Sequence, residues 1–298
     1  MIKPPTLINA GSLAQMKVTV SHINKQLRPA DFSLADLKSA YRSVGVEYGR
    51  SVYVTGNLGR LGWPTNAAGT PLSKRDVLAA HCSALRELVG PNAAVVFPTH
   101  SWGLVQKDIV FDPLETPTEY PLSEFMRKQP DARRLAHPFA SVAAIGDQAA
   151  ELIPSGLSRH PYGAGSVFEK LIEREALHVS IGLPARNTIS AVHHCEQMAG
   201  VPYRYTKCFH HPMMLGGVTA VREVFLFVVY RGIEIERDKN RKIMALPAVV
   251  DTLRSVSLGR SGLESVDLGV FGAEVISAMR DDPYLWLRRR PEKTPWIE

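Results

Sequence analysis

The residues best suited to chemistry lie in two short stretches, ISAVHHCEQMAG (189–200) and KCFHHP (207–212). Residues three apart in a helix share a face, so His193 and Glu196 can meet. An imidazole titrates near neutrality and can accept a proton from a reacting group, while a carboxylate on its other nitrogen fixes the tautomer. The pair predicts a general base with its orienting carboxylate. The alternative is two polar residues on a helix surface.

A zinc site is a second interpretation of the same stretches, because Cys195, Cys208, His210 and His211 are all of zinc-binding type. The spacing argues against it. The stretches contain no Cys-x-x-Cys pair, and the adjacent His210 and His211 cannot easily both face one ion. We therefore expect no metal.

The composition of the 298-residue chain is that of a soluble globular protein, with 45% hydrophobic and 21% charged residues. The longest apolar run, VFLFVVY (224–230), is too short to cross a bilayer. The N-terminus has no long apolar core of the kind found in a secretory signal. Three cysteines are too few for a disulfide framework and favour a reducing compartment. We expect a cytoplasmic protein without a membrane partner.

The charge balance is basic, with a net charge of +6 and a pI of about 9.2. The positive residues are scattered, and the one dense run, WLRRRPEK (286–293), lacks the interleaved aromatics and glycines of a nucleic-acid module. A basic surface also suits phosphate-bearing small molecules. We expect no nucleic-acid partner.

Alternating helix and strand signals organise the chain. Helices are predicted over 32–45, 73–90, 147–153, 166–175 and 269–283, the first two with a serine cap and a glycine stop. Strands are predicted over 51–55, 93–101 and 176–182, with a hairpin or edge pair in 221–238. Strands separated by helices predict a single α/β domain over 1–298, with a central β-sheet flanked by helices and long active-site loops.

The longest of these loops covers residues 101–146. Long irregular segments in compact domains are usually functional or disordered, and the aromatic content here favours an ordered active-site loop. Its small-residue run ASVAAIG (140–146) would either let a ligand approach the backbone closely or begin a tightly packed helix.

Several short motifs follow one another in a fixed order after the second predicted strand. They are Phe-Asp-Pro, His-Pro-x-x-Ser-x-x-Ala-x-Gly, Ser-x-x-His-x-x-Glu and Pro-Tyr-Arg. They fall on Phe111–Pro113, His137–Gly146, Ser190–Glu196 and Pro202–Arg204. In the order and spacing of these motifs the chain resembles the aminoglycoside 3-N-acetyltransferases, over nearly its whole length.

The resemblance implies transfer of an acetyl group from acetyl-CoA to an amine of an aminoglycoside or amino sugar. It places His193 as general base beside Glu196, with acetyl-CoA as the acyl donor. Three stretches depart from the family pattern: TGNLGRLG (55–62) and TPLSKRD (70–76) replace the usual Ser-Ser or Ser-Leu and Gly-Gly pairs, and Ser166-Val167 replaces Ser-Pro. The first two lie where coenzyme and acyl contacts are expected.

Further site residues are expected in the loops after the strands, where an α/β sheet opens its binding crevice. Backbone N–H groups in such loops can stabilise the charge that develops on a thioester oxygen. The expected coenzyme- and acyl-binding residues are Asn57, Leu58, Gly59, Thr99, His100, Ser101, His137 and Ser141. The expected substrate-binding residues are Asp112, Tyr203 and Arg204.

The charge of the chain bears on the acceptor, because a polycationic aminoglycoside suits a pocket lined by carboxylates. The stretches expected to flank the acceptor, MRKQPDARRLAH (126–137) and RYTKCFHH (204–211), are richer in basic than in acidic residues. We therefore predict a neutral or anionic acceptor, such as a nucleotide-linked or polysaccharide-precursor amino sugar, and weak activity on antibiotics.

Two alternatives of other classes stay open, a non-catalytic relative that binds coenzyme A and a zinc-site protein. A homodimer is one option for the oligomeric state, which the sequence does not determine.

Overall fold

The computed structural model describes residues 31–105 and 107–296. The N-terminal stretch that bears on a secretory signal lies outside these residues. Within them, no helix combines the length and the apolar character needed to cross a membrane.

The described residues form eight α-helices. They are α1 (Leu34–Ser43), α2 (Lys74–Val89), α3 (Pro121–Arg127), α4 (Ala149–Leu152), α5 (Val167–Glu173), α6 (Ala191–Ala199), α7 (Pro247–Thr252) and α8 (Leu268–Asp281). Ser33 Oγ accepts a hydrogen bond from the Asp36 N–H at 3.1 Å, and the Asp36 carboxylate accepts one from the Ser33 N–H at 2.8 Å. This reciprocal cap satisfies amides that a helix start leaves unpaired. All five predicted helices are present.

A seven-stranded sheet forms the centre of the molecule. Together with two smaller pairs of strands it accounts for all the strands of the described residues. These are β1 (Phe32–Ser33), β2 (Val52–Gly56), β3 (Pro64–Thr65), β4 (Val95–Pro98), β5 (Arg133–Arg134), β6 (Val142–Ile145), β7 (Leu177–Ile181), β8 (Arg204–Leu215), β9 (Val218–Val229), β10 (Arg254–Leu258) and β11 (Ser261–Asp267). The central sheet has the order β10-β11-β7-β2-β4-β6-β5, and β1 pairs with β3 separately. Strands β7, β2 and β4 are parallel, and the other neighbours in the central sheet are antiparallel. The parallel strands therefore end at one common edge.

Helices cover both faces of this sheet. On β2, Val52 and Val54 belong to one apolar cluster and Tyr53 to the other, as the alternation of side chains along a strand requires. The first cluster includes residues of α1, α2 and α3, and the second includes residues of α5, α6 and α8. Strands buried on both faces have the continuous apolar sequences seen in β4 and β6. The predicted α/β fold, with a central sheet flanked by helices, is confirmed.

Strands β8 and β9 form a long antiparallel ribbon apart from the central sheet. The hairpin predicted within 221–238 is correct only in its first part, because β9 ends at Val229 and its partner precedes it in the chain. The turn is Gly216-Gly217, with φ of +56° and +80°. Two adjacent glycines are a recognised hairpin signal, and in this sequence Gly216-Gly217 marks the turn between β8 and β9.

The region 101–146 is more regular than expected. It contains α3, β5 and β6, so the prediction of a long irregular loop is wrong for these parts. The run ASVAAIG neither opens to a ligand nor begins a helix. Val142–Ile145 form a fully buried strand that pairs with β4 and β5. This strand forms its hydrogen bonds with neighbouring strands, and its four residues are too few to show a periodic pattern in the sequence.

Candidate active site

A hydrogen-bonded histidine–glutamate pair stands on α6. His193 Nδ1 lies 2.6 Å from Glu196 Oε2, as expected for residues three apart on one helix face. The imidazole is 34% exposed, while the carboxylate is fully buried. Because Nδ1–H donates to the carboxylate, the lone pair of the neutral ring is on Nε2. The geometry provides a proton acceptor with a fixed orientation.

Glu196 is held as a buried anion. Its Oε1 accepts hydrogen bonds from the Tyr203 hydroxyl and from Arg204 Nε, each at 2.8 Å. Burial raises the pKa of the carboxyl, but the hydrogen bond and charge of His193, the charge of Arg204 and the Tyr203 hydrogen bond together hold it below its ordinary value. A buried charge needs such partners, and here they are supplied by the start of β8 and the residue before it.

The side chains of Tyr203 and Arg204, predicted to bind substrate, contact Glu196 inside the protein. Tyr203 is fully buried, and its hydroxyl is used by Glu196. Arg204 also donates from Nη1 to the Phe227 carbonyl at 3.0 Å, and its side chain is only 8% exposed. These polar atoms are engaged with Glu196 and with the Phe227 carbonyl, and contact of the two residues with a substrate stays a prediction.

Two aromatic residues that the sequence did not single out surround the base. The rings of Tyr162 and Trp286 meet the His193 ring edge-on, at 5.6 and 5.7 Å between centres. Trp286 also stacks under the Arg204 guanidinium, 4.9 Å from the ring centre. Trp286 lies near the end of the chain, far in sequence from α6, so no local pattern indicates this contact.

A cavity of roughly 720 Å³ opens at the carboxyl ends of β2, β4 and β7. Strands β2 and β4 pair only at Val52–Val95 and Tyr53–Val96, so they separate beyond these residues and leave a crevice at that edge. The volume is in the range of small-molecule sites. Ser190 lines the cavity, and its carbonyl accepts a hydrogen bond from the His193 N–H at 3.1 Å. The cavity thus reaches the helical turn that carries the base.

Two glycines allow the floor of this cavity to form. Gly56 has φ +118°, and a Cβ there would lie 2.1 Å from the Ile181 carbonyl oxygen. Gly182 has φ +70°, and a Cβ there would lie 2.3 Å from the Asn57 carbonyl oxygen. Only glycine fits this close approach of the loop after β2 to the end of β7.

Buried hydroxyls and an imidazole lie beside the same floor. His178 on β7 has its Nε2 atom 2.8 Å from Thr55 Oγ1 and 3.4 Å from Thr188 Oγ1, and both threonines line the cavity. Burial lowers the pKa of His178 to about 3, so the ring is neutral. The polar residues inside the apolar strand LHVSI were the available sequence signal for this network.

Four of the predicted coenzyme-binding residues line the cavity: Asn57, Leu58, Gly59 and His100. Not all of their backbone amides are available. The Asn57 N–H donates to the Ile181 carbonyl at 2.7 Å, and the Gly59 N–H donates to Asn57 Oδ1 at 3.0 Å. Among the described residues, the amides of Leu58 and His100 have no hydrogen-bond acceptor.

Thr99, Ser101 and Ser141 do not line the cavity, and their contact with the coenzyme stays a prediction. The Thr99 N–H donates to the Ser141 carbonyl at 2.9 Å, and the Ser101 N–H donates to the Phe139 carbonyl at 3.0 Å. The Thr99 hydroxyl donates to Ser141 Oγ at 3.0 Å. These groups are used in joining the end of β4 to the segment before β6.

His137 is also a structural residue. Its Nδ1 accepts hydrogen bonds from the N–H groups of Phe139 and Ala140 at 3.3 and 3.2 Å. Its Nε2 lies 3.3 Å from the Phe225 carbonyl oxygen on the ribbon. The ring is fully buried. His137 therefore orders its own loop and does not line the cavity, and its contact with the coenzyme stays a prediction.

Asp112 occupies a turn. Its Oδ1 accepts a hydrogen bond from the Leu114 N–H at 2.8 Å, and its own N–H donates to Thr116 Oγ1 at 2.8 Å. It is half-buried and does not line the cavity. Contact between Asp112 and a substrate stays a prediction.

The four residues considered for zinc do not converge. Cys195 is buried in α6, whereas Cys208 and His210 are exposed on β8 and His211 is buried on the opposite face of that strand. In the part of the chain that the structure describes, Cys208, His210 and Glu223 have ligand-type atoms within 4.8 Å of one another. All three are exposed on the ribbon, and Glu223 also faces Arg159 at 3.7 Å.

The fold and the site define an α/β protein with a hydrogen-bonded histidine–glutamate pair beside a cavity at the carboxyl edge of its sheet. The chain belongs to the aminoglycoside 3-N-acetyltransferase family, whose family model matches residues 54–256. This confirms the family and the enzyme class indicated by the motifs.

Curated relatives agree with this assignment. Aminoglycoside N(3)-acetyltransferase VIII from Streptomyces fradiae is 24% identical over 255 residues, which cover 79% of this chain and 88% of the relative. Aminoglycoside N(3)-acetyltransferase IX from Micromonospora chalcea is 28% identical over 147 residues, 47% of this chain and 50% of the relative. In that second comparison the chain spans only half the length of its relative.

Solved structures share the fold. Aminoglycoside acetyltransferase AAC(3)-Xa superposes with a TM-score of 0.69 at 18% identity, covering 86% of this chain and 95% of the other. A structure described as AAC-IIIb binary with CoASH gives a TM-score of 0.67 at 22% identity, covering 84% and 97%. At such identities the likeness establishes the fold alone.

Proposed function

We propose that this protein transfers an acetyl group from acetyl-CoA to an amine of an aminoglycoside. The observation that carries the proposal is the His193–Glu196 pair at 2.6 Å, one helical turn from the cavity-lining Ser190. Family membership, the names of the relatives and the CoASH complex of a structural neighbour support the same reaction.

In this mechanism His193 acts as the general base. The amine nitrogen attacks the carbonyl carbon of the thioester while its proton passes to His193 Nε2. The C–N bond forms first, and the C–S bond then breaks as the tetrahedral intermediate collapses. Coenzyme A leaves as a thiolate and takes the proton back from the imidazolium. General-base catalysis of this kind contributes about 10²- to 10⁴-fold.

Glu196 stabilises the imidazolium formed in the first step. Its charge is fixed by the hydrogen bonds from Tyr203 and Arg204, so the carboxylate needs no rearrangement when the ring becomes charged. Arg204 balances the buried negative charge between turnovers. The role of these two residues is therefore to position and neutralise the carboxylate.

The cavity is the expected site of the acetyl end of the donor. The unpaired amides of Leu58 and His100 lie after β2 and β4, at the carboxyl edge of the sheet. Backbone donors placed there suit a thioester oxygen that becomes negatively charged. Acetyl-CoA is a substrate of this reaction, and the mechanism requires no metal.

The local charges weaken the argument for the predicted anionic amine. Arg204 is paired with Glu196, and Arg127 with Glu124 at 2.6 Å. Arg134 is directed inward, where it donates to backbone carbonyls and to the hydroxyls of Ser101 and Ser141. These arginines supplied much of the positive charge of the two basic stretches. Because their guanidinium groups are engaged, they do not argue for an anionic acceptor.

The test measures thiol release from acetyl-CoA with a polycationic aminoglycoside, a neutral amino sugar and a nucleotide-linked amino sugar at one ionic strength. We expect the highest kcat/KM for the aminoglycoside. The His193→Ala variant should lose this activity, and His210→Ala, which changes an exposed histidine on β8, should keep it. Turnover of the nucleotide-linked sugar alone would restore the anionic acceptor. Absence of thiol release with every amine would favour a non-catalytic relative.

Two further expectations remain predictions. A cytoplasmic location is supported by the free state of all three cysteines, since a reducing compartment preserves thiols. The homodimer is to be tested by sedimentation at micromolar protein concentration.

A further inference from the structure

His100 is a polar residue of the cavity wall whose side chain has no role in the reaction described above. It follows β4 at the carboxyl edge of the sheet, is 6% exposed and lines the cavity. Its ring packs edge-on against Trp102 and Tyr120, at 5.3 and 6.0 Å between centres. Its Nε2 atom is buried without a hydrogen-bond partner among the residues that the structure describes. A buried polar group without a partner is costly, which points to a bound ligand as its partner.

The backbone on both sides of His100 is held in place. Arg134 Nη2 donates to the Thr99 carbonyl at 2.7 Å and to Ser101 Oγ at 3.0 Å. The Thr118 hydroxyl donates to the His100 carbonyl at 3.2 Å. The ring is thus carried by a rigid frame, and a preorganised donor of this kind costs little reorganisation when charge develops nearby.

The electrostatic surroundings keep the ring neutral. Burial lowers the pKa of His100 to about 4, and the charges of His193 and Arg134 act in the same direction. A neutral imidazole retains one N–H group as a donor.

We infer that His100 is a further catalytic residue, whose ring N–H donates a hydrogen bond to the carbonyl oxygen of the acetyl thioester. The inference rests on the proposed acetyl transfer. As the amine attacks, the π electrons of the C=O bond move onto this oxygen, and the hydrogen bond from His100 stabilises the charge. The proton of the amine goes to His193, so His100 keeps its own proton throughout.

Infrared spectroscopy of the binary complex tests the contact without an acceptor amine. With acetyl-CoA labelled with ¹³C at the carbonyl, we expect the C=O stretch to move to lower frequency on binding to the wild-type protein. The shift should be lost in His100→Leu and partly restored in His100→Gln, which retains an N–H donor. The same bound frequency in wild type and His100→Leu would overturn the inference.

Steady-state kinetics provide the second measurement. We expect kcat of His100→Leu to fall by about 10²- to 10³-fold, with the KM for acetyl-CoA little changed, as for loss of one oxyanion donor. His81→Leu is the matched control, because His81 is buried on α2 and does not line the cavity. It should lower thermal stability and leave kcat unaltered. If His100→Leu fails to fold, the comparison is made with His100→Gln and His100→Phe.

The two proposals fail in different ways. A wild-type protein that acetylates no amine would refute the proposed function. An active wild-type enzyme whose His100→Leu variant keeps its kcat would refute only the role of His100.

Discussion

Three buried imidazoles should make the folded chain sensitive to mild acid. Burial lowers the pKa of His81, His137 and His178 to about 3, because a charged ring would lose its hydration inside the core. A histidine in the unfolded chain has a pKa of about 6.5. Below that pH these three rings bind protons in the unfolded chain but stay neutral in the folded chain. Stability is therefore complete above about pH 6.5, falls as the pH falls, and stops falling from this cause near pH 3.

The size of the effect follows from the two pKa values. Each ring lowers the free energy of unfolding by about 1.4 kcal/mol per pH unit below about 6.5. At pH 5 the loss is about 2 kcal/mol for one ring and about 6 kcal/mol for three. Folded domains are stable by about 5–15 kcal/mol, so the loss is a large part of the total. Carboxylates with lowered pKa, such as Glu124, add their loss only below about pH 4.5, and the two contributions are separable.

Urea unfolding followed by circular dichroism between pH 7.5 and pH 5 measures this dependence. His81 Nδ1 lies 2.7 Å from the Tyr41 hydroxyl, and His81→Gln keeps a polar partner there without a titrating ring. We expect this variant to lose the share of one ring, which is about 2 kcal/mol of the decrease in unfolding free energy between pH 6.5 and pH 5. A free energy of unfolding that stays constant from pH 7.5 to pH 5 would refute the reasoning.

Three more outcomes follow from the site and the cavity floor. His193→Ala should lower kcat by about 10²- to 10⁴-fold with coenzyme binding little changed, and a variant with full turnover would remove His193 from the mechanism. Glu196→Gln should slow turnover less than His193→Ala does. It should also lower the free energy of unfolding by about 3–5 kcal/mol, because it leaves Arg204 as an unpaired buried charge. An unchanged melting temperature in calorimetry would contradict this. Gly56→Ala should destabilise the chain by more than Gly69→Ala, since both glycines have positive φ but only a Cβ at Gly56 meets backbone, at 2.1 Å. Equal urea midpoints for the two glycine variants would show that the close contact has no cost.

The helices and central strands were predictable because their signals are local. Ser33 and Asp36 form the reciprocal cap that their spacing indicated, and Val52–Gly56 forms a strand where a β-branched run predicted one. The ribbon partner β8 and the short strand β6 were missed. Alternating polar residues obscure the first, and the second is too short to show a period.

The contact between His193 and Glu196 is a property of the sequence. His193 and Glu196 are three apart on one helix, so their contact needs only the helix. The tertiary structure decided the surroundings of the pair. Tyr203 and Arg204 donate hydrogen bonds to Glu196, and Trp286 packs edge-on against the His193 ring. His137 lies beside the Phe225 carbonyl and not in the cavity wall. These contacts join segments distant along the chain, and their geometry depends on how β8 and the C-terminal segment pack against α6. Spacing reports neighbours within one helix or strand, whereas burial and hydrogen-bond partners are set by the packing of different elements.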